Sequence, residues 1–223
     1  MFDVIGAAFR ASLVTFLLCG FAYPLSVTAL GQWLMPFQAN GSLIRGDGGA
    51  VLGSLLIGQE WTDPQWFHGR PSATTDVDSN DATKTVPAPY NAASSGASNL
   101  GPTSKVLEGR VLDAWLALYE AEPESVNDLL PADMLTTSAS GLDPDISPAN
   151  AFLQVNRVAK ARRAPPPLVA ALVQRQITPR GFGLFGELRV NVLQLNLALD
   201  REFPMRKSNP ENGARNLSKK EGA

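Results

Sequence analysis

Few residues in this chain have types that do chemistry. Its 223 residues include one histidine, His68, and one cysteine, Cys19. A Cys/His zinc site within the chain and an intrachain disulfide are therefore both excluded, and any metal would need carboxylates. His68 has no obvious acidic neighbour in sequence, so nothing marks it as a general base. Asp76, Asp78 and Asp81 stand close together and could in principle hold Ca²⁺. The EF-hand pattern fails, however, with no glycine at the sixth place and no glutamate at the twelfth, and a solvated loop is the better reading.

Signatures of catalysis are equally scarce. No serine sits in G-x-S-x-G or has a lysine three residues on, and there is no G-x-x-x-x-G-K-[ST] phosphate loop. The glycines between Gly46 and Gly58 do not fit a dinucleotide fingerprint. No Asp-Lys-Thr-Gly-Thr run supplies the phosphorylated aspartate of a P-type pump. Catalytic and metal residues are thus expected to be none. A net charge of −2 gives no electrostatic reason to expect nucleic acid as a partner.

Two other groups could recognise something. Trp61, Trp66 and Phe67 precede His68-Gly69-Arg70-Pro71-Ser72. They are either a recognition surface carrying Arg70 or, the commoner use of aromatics, a tethering loop that covers a sheet edge. Three small-residue stretches also recur: Gln38–Ser42, Tyr90–Pro102 and Ser138–Pro144. Such stretches are flexible linkers or loops shaped by their own side-chain-to-backbone bonds.

The elements that position these groups follow from the pattern. Ala11 through Ile44 carries no charge, and about Ala8 to Leu30 supplies the ~20 apolar residues that span a bilayer. Pro24 should kink or loosen that helix. A cleaved signal peptide is the alternative, since Val27-Thr28-Ala29 resembles a cleavage site, but the N-terminal positive charge is thin for one. Arg10 before the helix and the distant Arg45 after it favour a cytoplasmic N-terminus with the main domain outside.

Beyond the span, Gly46-Asp47-Gly48-Gly49 is a turn and Ala50–Gln59 reads as a buried strand. Thr74–Pro89 reads as a polar loop. Apolar Leu107, Val111, Trp115 and Leu118 predict a helix starting near Thr103 or Ser104 and stopping before Pro123. Pro131–Thr137 reads as a short strand. Ser147-Pro148 starts a helix over Ala149–Arg163, with serine as cap and proline in the first turn. A second helix, Leu168–Gln176, packs Leu168, Leu172 and Val173. A strand ends near Val190, and Asn191 caps a last helix. From Arg201 onward the composition predicts a disordered tail.

Taken in order, the segments resemble the KdpC family, the small single-span subunit of the bacterial Kdp potassium-transporting P-type ATPase. The resemblance rests on Tyr23-Pro24-Leu25, Leu30-Gly31-Gln32, Phe67–Thr74, Ser95–Thr103, Ser138–Pro144, Gln154–Ala159, Arg189–Leu193 and Leu195–Asp200. It covers roughly Ser12 to Asp200. Asp145 stands where that family commonly has histidine, and Leu188 where it has proline.

The resemblance implies a single N-terminal transmembrane helix followed by one compact mixed α/β domain. It divides the chain into an N-terminal segment 1–35, an extracytoplasmic domain 36–200 and a tail 201–223. It implies a non-catalytic accessory subunit in the bacterial inner membrane, touching lipid. Its partners would be a channel-like potassium-translocating subunit and an ATP-hydrolysing P-type subunit. It further implies a catalytic-chaperone role that raises the ATP affinity of the hydrolysing subunit, with ATP reached only through the complex and Gln154 as the ATP-contacting residue. An outside domain conflicts with contact to cytoplasmic ATP. A membrane-tethered enzyme and a solute-binding module using the Ser/Gly loops remain the alternatives.

Overall fold

The computed structural model describes residues 2–121 and 129–205. The N-terminal residues form α1 (Phe2–Leu17), a π-helical turn (Leu18–Ala22) and α2 (Tyr23–Leu34). Pro24 lacks the N–H that α-helix needs, and the wider π turn just before it absorbs the mismatch, with Tyr23 N–H donating to Leu18 O, five residues back. The hydroxyl of Ser26 adds a bond to Ala22 O at 2.7 Å. The segment Val4–Leu34 is 31 residues long and predominantly apolar, with Arg10 near its start as its only charged residue. At 1.5 Å per residue that is about 45 Å, longer than a bilayer core.

A short helix α3 (Pro36–Ala39) and the Asn40-Gly41 turn lead to a hairpin of β1 (Leu43–Arg45) and β2 (Val51–Ser54). Gly46-Asp47-Gly48-Gly49 is its turn, closed by Gly46 N–H to Ala50 O at 2.9 Å. The buried strand expected over Ala50–Gln59 is corrected here. Only Val51–Ser54 is strand, and Val51, Leu52 and Leu56 are exposed. Glycine at 53 and the turn at its end keep this strand short.

By contact the chain divides into 1–56 and 57–223. The second unit is built on a three-stranded antiparallel sheet, β5 (Asp145–Ile146), β7 (Arg189–Asn191) and β6 (Ile177–Thr178), with β7 central. Four helices pack around it: α6 (Pro148–Leu153), α7 (Val155–Arg162), α8 (Pro166–Gln176) and α9 (Val192–Glu202). Their apolar faces meet in a core of Phe67, Val158, Val169, Leu172, Val173, Val190, Leu195 and Leu199.

Ser147 and Asn191 cap as the sequence predicts: Ser147 Oγ accepts from Asn150 N and Asn191 Oδ1 from Gln194 N, each at 3.1 Å. Leu168, expected to pack, is exposed, and Val169 takes the core position. The last helix runs on through Arg201 and Glu202, where Glu202 pairs with Arg175; the rest of the proposed tail, from residue 206, lies outside the described residues.

Two segments differ from expectation. Thr74–Pro89 contains a hairpin, β3 (Thr75–Val77) with β4 (Thr85–Pro87), whose turn is folded by Asp78 and Asp81 accepting from Asn80 and Thr83 backbone N–H. Pro131–Thr137 is a helical turn, α5 (Ala132–Leu135), not a strand. Its Asp133 reaches the start of α6, which fixes the turn (below). The helix α4 (Lys105–Ala121) begins as predicted, and Leu107, Val111 and Leu118 are half-buried while Trp115 is exposed and stacks on Tyr119.

Candidate functional site

The helix predicted across Ala149–Arg163 breaks at Gln154. This residue ends α6 and begins α7 (φ −77°, ψ −11°), and the break aims its side chain inward, leaving it 4% exposed. Its Oε1 accepts from His68 N–H at 2.7 Å and from Arg157 Nη2 at 2.6 Å. Its Nε2 donates to His68 O at 3.1 Å and to Asn150 Oδ1 at 2.7 Å. Two amide hydrogens and two lone-pair directions are the whole capacity of a carboxamide, and all are used.

The network continues on both sides. Asn150, 1% exposed, donates to Asp133 at 3.0 Å. The same carboxylate accepts from Ser147 N–H at 2.7 Å and Ser147 Oγ at 3.0 Å, so it holds the residue that caps α6. On the other side, Arg157 Nη1 donates to Pro64 O at 2.7 Å and Trp66 O at 2.9 Å. One residue before His68, Asn196 repeats the Gln154 motif. It accepts from Phe67 N–H and donates to Phe67 O, both at 2.9 Å and fully buried. Phe67 and His68 thus receive sheet-like bonding from two helix-borne amides. Buried backbone groups require such partners.

The aromatics follow from that clamp. Phe67 fills the core, and Trp61 and Trp66 pack against it with ring centroids 4.9 Å apart. Arg162 lies over Trp66 at 4.2 Å and pairs with Asp200 at 2.9 Å. This is the tethering role, though in a helical core rather than over a sheet edge.

Beside the network lies a cleft of about 320 Å³, lined among others by Glu60, Trp61, His68, Arg70, Tyr90 and Gln154. Arg70 is tied to Asp143 at 3.1 Å and Thr137 O at 3.2 Å. Tyr90 donates its hydroxyl to Arg70 O at 2.7 Å, and its ring lies against Gly58 and Gly69, where a Cβ has no room. Burial, with Asp143 and Glu60 nearby, pushes the Tyr90 phenol up to about 12. Burial and then the Arg157 charge hold His68 below its ordinary value, which favours the neutral ring. His68 Nε2 lies 3.0 Å from Asp63 O and 3.4 Å from Arg157 Nη1, so it can donate to the carbonyl in one tautomer or accept from the guanidinium in the other.

The small-residue loops form a second, adjoining web. Ser72 Oγ donates to Gly141 O at 2.7 Å and accepts from Tyr90 N–H at 3.1 Å. Thr74 Oγ1 donates to Ala88 O and accepts from Asn91 N–H. Gly96 N–H and Ser95 Oγ both reach Ser140 O. Gly141 has φ +68° and a Cβ there would meet Thr74 Cγ2 at 2.6 Å. The first half of Tyr90–Pro102 is therefore bonded into place.

The departures from the resemblance find local explanations. Asp145 accepts from Asn191 at 3.2 Å and pairs with Arg189 at 3.1 Å, across the register of β5 and β7. Burial raises its carboxyl above the usual range. Leu188 is exposed.

Chemically, this arrangement holds backbone rather than substrate. Contact between Gln154 and a nucleotide would need its amide to give up one of four internal bonds. Asn150, Asn196 and Asp133 were not singled out from sequence. A signal existed: Asn196 interrupts the apolar stripe of Leu195 and Leu199, and a polar residue there must be paired. The run Gly181-Phe182-Gly183-Leu184-Phe185-Gly186 also has G-x-G-x-x-G spacing. It joins two strands of the sheet, not a strand to a helix, so the context of a dinucleotide site is missing.

An apolar N-terminal helix of bilayer length, followed by a mixed α/β unit with an internally paired polar network, defines the class of chain. The family described as K+-transporting ATPase, c chain, matches residues 5–201. The potassium-transporting ATPase KdpC subunit of Bradyrhizobium diazoefficiens is 57% identical over 189 residues, covering 85% of this chain and 92% of that protein. Those of Rhodopseudomonas palustris (56% over 184 residues, 82% and 90%) and a Bradyrhizobium species (52% over 200 residues, 90% and 98%) are similar. The chain belongs to the KdpC family.

Proposed function

We propose that the chain is a non-catalytic accessory subunit of an ATP-driven potassium uptake complex. It works beside a channel-like potassium-translocating subunit and an ATP-hydrolysing P-type subunit. Family membership supports the setting, and one observation carries the role: the side-chain amide of Gln154 in the cleft wall spends all four of its hydrogen bonds on the chain itself, although Trp61 Nε1 and Arg70 Nε in the same wall are buried without a partner among the described residues. Gln154, Arg70 and Arg157 brace backbone, and His68 is held neutral.

In this reading Val4–Leu34 crosses the inner membrane with the N-terminus in the cytoplasm. Arg10 lies near the N-terminal end of that helix and Arg45 follows it at a distance, which suits that orientation. Residues 36–200 then form the extracytoplasmic part, on the side where potassium enters. Any rise in the ATP affinity of the hydrolysing subunit passes through subunit contacts. A second reading keeps ATP at Gln154, favoured by that residue's place in the cleft wall. It needs the domain on the cytoplasmic side and the amide network opened.

The test is potassium-stimulated ATP hydrolysis in membranes that contain the other subunits, with and without this chain. Loss without it, restoration with it and no hydrolysis by the purified chain are expected. Hydrolysis by the chain alone, or unchanged hydrolysis in its absence, contradicts the proposal.

A further inference from the structure

The strands β6 and β7 are joined by a loop whose tip is apolar and unsupported. Phe182 is fully exposed, Leu184 is 72% exposed and Phe185 67%. Large apolar side chains clustered at one tip and given to water mark an interaction site. The loop is nonetheless built. Gly181 N–H bonds Phe185 O at 2.8 Å and Phe185 N–H bonds Gly181 O at 2.9 Å. Phe182 is held at φ +52°, with Gly183 at +74° and Gly186 at +80°. A bulky residue in the left-handed region is strained, and it persists only where surrounding bonds impose it.

The neck of the loop carries two guanidiniums. Arg180 uses Nη2 on Glu187 at 2.6 Å, and Arg189 uses Nε on Asp145 at 3.1 Å. Their side chains are 46% and 47% exposed, and the remaining guanidinium N–H groups take no acceptor among the described residues. The order is therefore aromatic and leucine side chains outermost, glycine backbone between, and phosphate-competent donors behind. That is the order an interfacial insertion needs, with apolar groups at the acyl boundary and arginines at headgroup depth.

We infer that the Phe182–Phe185 tip dips into the headgroup region of the bilayer, its arginines meeting the phosphates of anionic phospholipid. This rests on the reading that Val4–Leu34 is a membrane anchor. A tethered domain meets the bilayer at high effective concentration, so a shallow, individually weak insertion suffices. An apolar pocket on another subunit is the competing occupant. The exposed arginine donors at the neck favour phosphate, because such a pocket would have to bury or pair them.

The experiment uses the full chain with Cys19→Ser, which removes the only cysteine. An environment-sensitive fluorophore is attached at Phe182→Cys, or at Lys84→Cys in the β3–β4 hairpin as a control. Proteoliposomes contain phosphatidylcholine with phosphatidylglycerol, with or without shallow nitroxide-labelled lipid. Flotation with the vesicles after alkaline wash reports the anchor independently of the loop.

A blue shift and shallow-lipid quenching at position 182 but not at 84 are expected. Both should be lost when Leu184→Ser and Phe185→Ser are added and Arg180→Gln weakens the neck. Floating protein with an aqueous spectrum at 182 overturns the tip proposal while leaving the anchor intact. Burial at 182 that appears only when the other subunits are present overturns it in favour of a protein pocket. Failure to float removes the anchor and the inference with it.

Discussion

The side chain of Gln154 bonds both backbone groups of His68, accepting at 2.7 Å and donating at 3.1 Å across 86 residues of sequence. It does what a neighbouring β-strand would do, from the break between two helices. Asn196 does the same for Phe67. The backbone of Phe67 and His68 is therefore set by helix-borne amides on both residues at once, and several consequences can be measured.

Gln154→Ala should lower the unfolding free energy by about 2–4 kcal/mol, because it strands the N–H and C=O of His68 and frees Arg157. Asn156→Ala, at an exposed position between them in sequence, should change it by less than about 0.5 kcal/mol. Denaturant unfolding of the detergent-solubilised chain gives both. If Gln154 instead serves a nucleotide, its loss should weaken ATP binding without lowering stability.

Much of this scaffold was legible in the sequence, and the physical reasons are specific. Ser147-Pro148 and Asn191 announce helix starts because capping is a local bond, and both caps are present. Gly46–Gly49 announces a turn for the same reason. What failed was set by distant partners. Nothing within Pro131–Thr137 says that Asp133 will be needed 14 residues on at Ser147, and that need makes the segment a helical turn. Nothing near Gln154 says that His68 will draw its amide inward and break the helix. The hairpin at Thr75–Pro87 was hidden by its polarity, since neither face is buried and the alternation that marks a strand is lost.

Gly69→Ala should destabilise by about 1–3 kcal/mol, since its Cβ would overlap the Tyr90 hydroxyl. Tyr90→Phe alone should cost about 1 kcal/mol by losing the bond to Arg70 O. Combined, the two should cost less than their sum, because removing the hydroxyl makes room for the methyl. A double-mutant cycle of unfolding midpoints tests this, and strict additivity would contradict the contact.

His68 is the only histidine, which makes its titration readable. Its folded pKa lies below the ordinary 6.5, so the unfolded chain takes up a proton first as pH falls. Stability should therefore drop as pH goes from above 6.5 down toward the folded value, and then level with respect to this group. His68→Gln should flatten that window. A slope that survives the substitution would assign the effect elsewhere.

Asp145 has the opposite sign from most carboxylates in ion pairs. Burial outweighs Asn191 and Arg189 and raises its folded pKa. The folded state then binds the proton more tightly, so this group favours folding on the acid side and loses that contribution as pH rises through its folded pKa. Asp145→Asn should remove this slope while keeping an oxygen for Asn191. Unfolding measured from pH 3 to 7 decides it, and an unchanged profile would contradict the burial argument.

The central claim, that this chain is a non-catalytic accessory subunit of an ATP-driven potassium uptake complex, is tested most directly by purification. The tagged full chain is expressed with the other genes of its complex and extracted in mild detergent. Co-elution with the potassium-translocating and ATP-hydrolysing subunits, and no ATP turnover by the chain expressed alone, is the predicted result. Elution as a free single chain from those membranes, or turnover by the chain on its own, would contradict it.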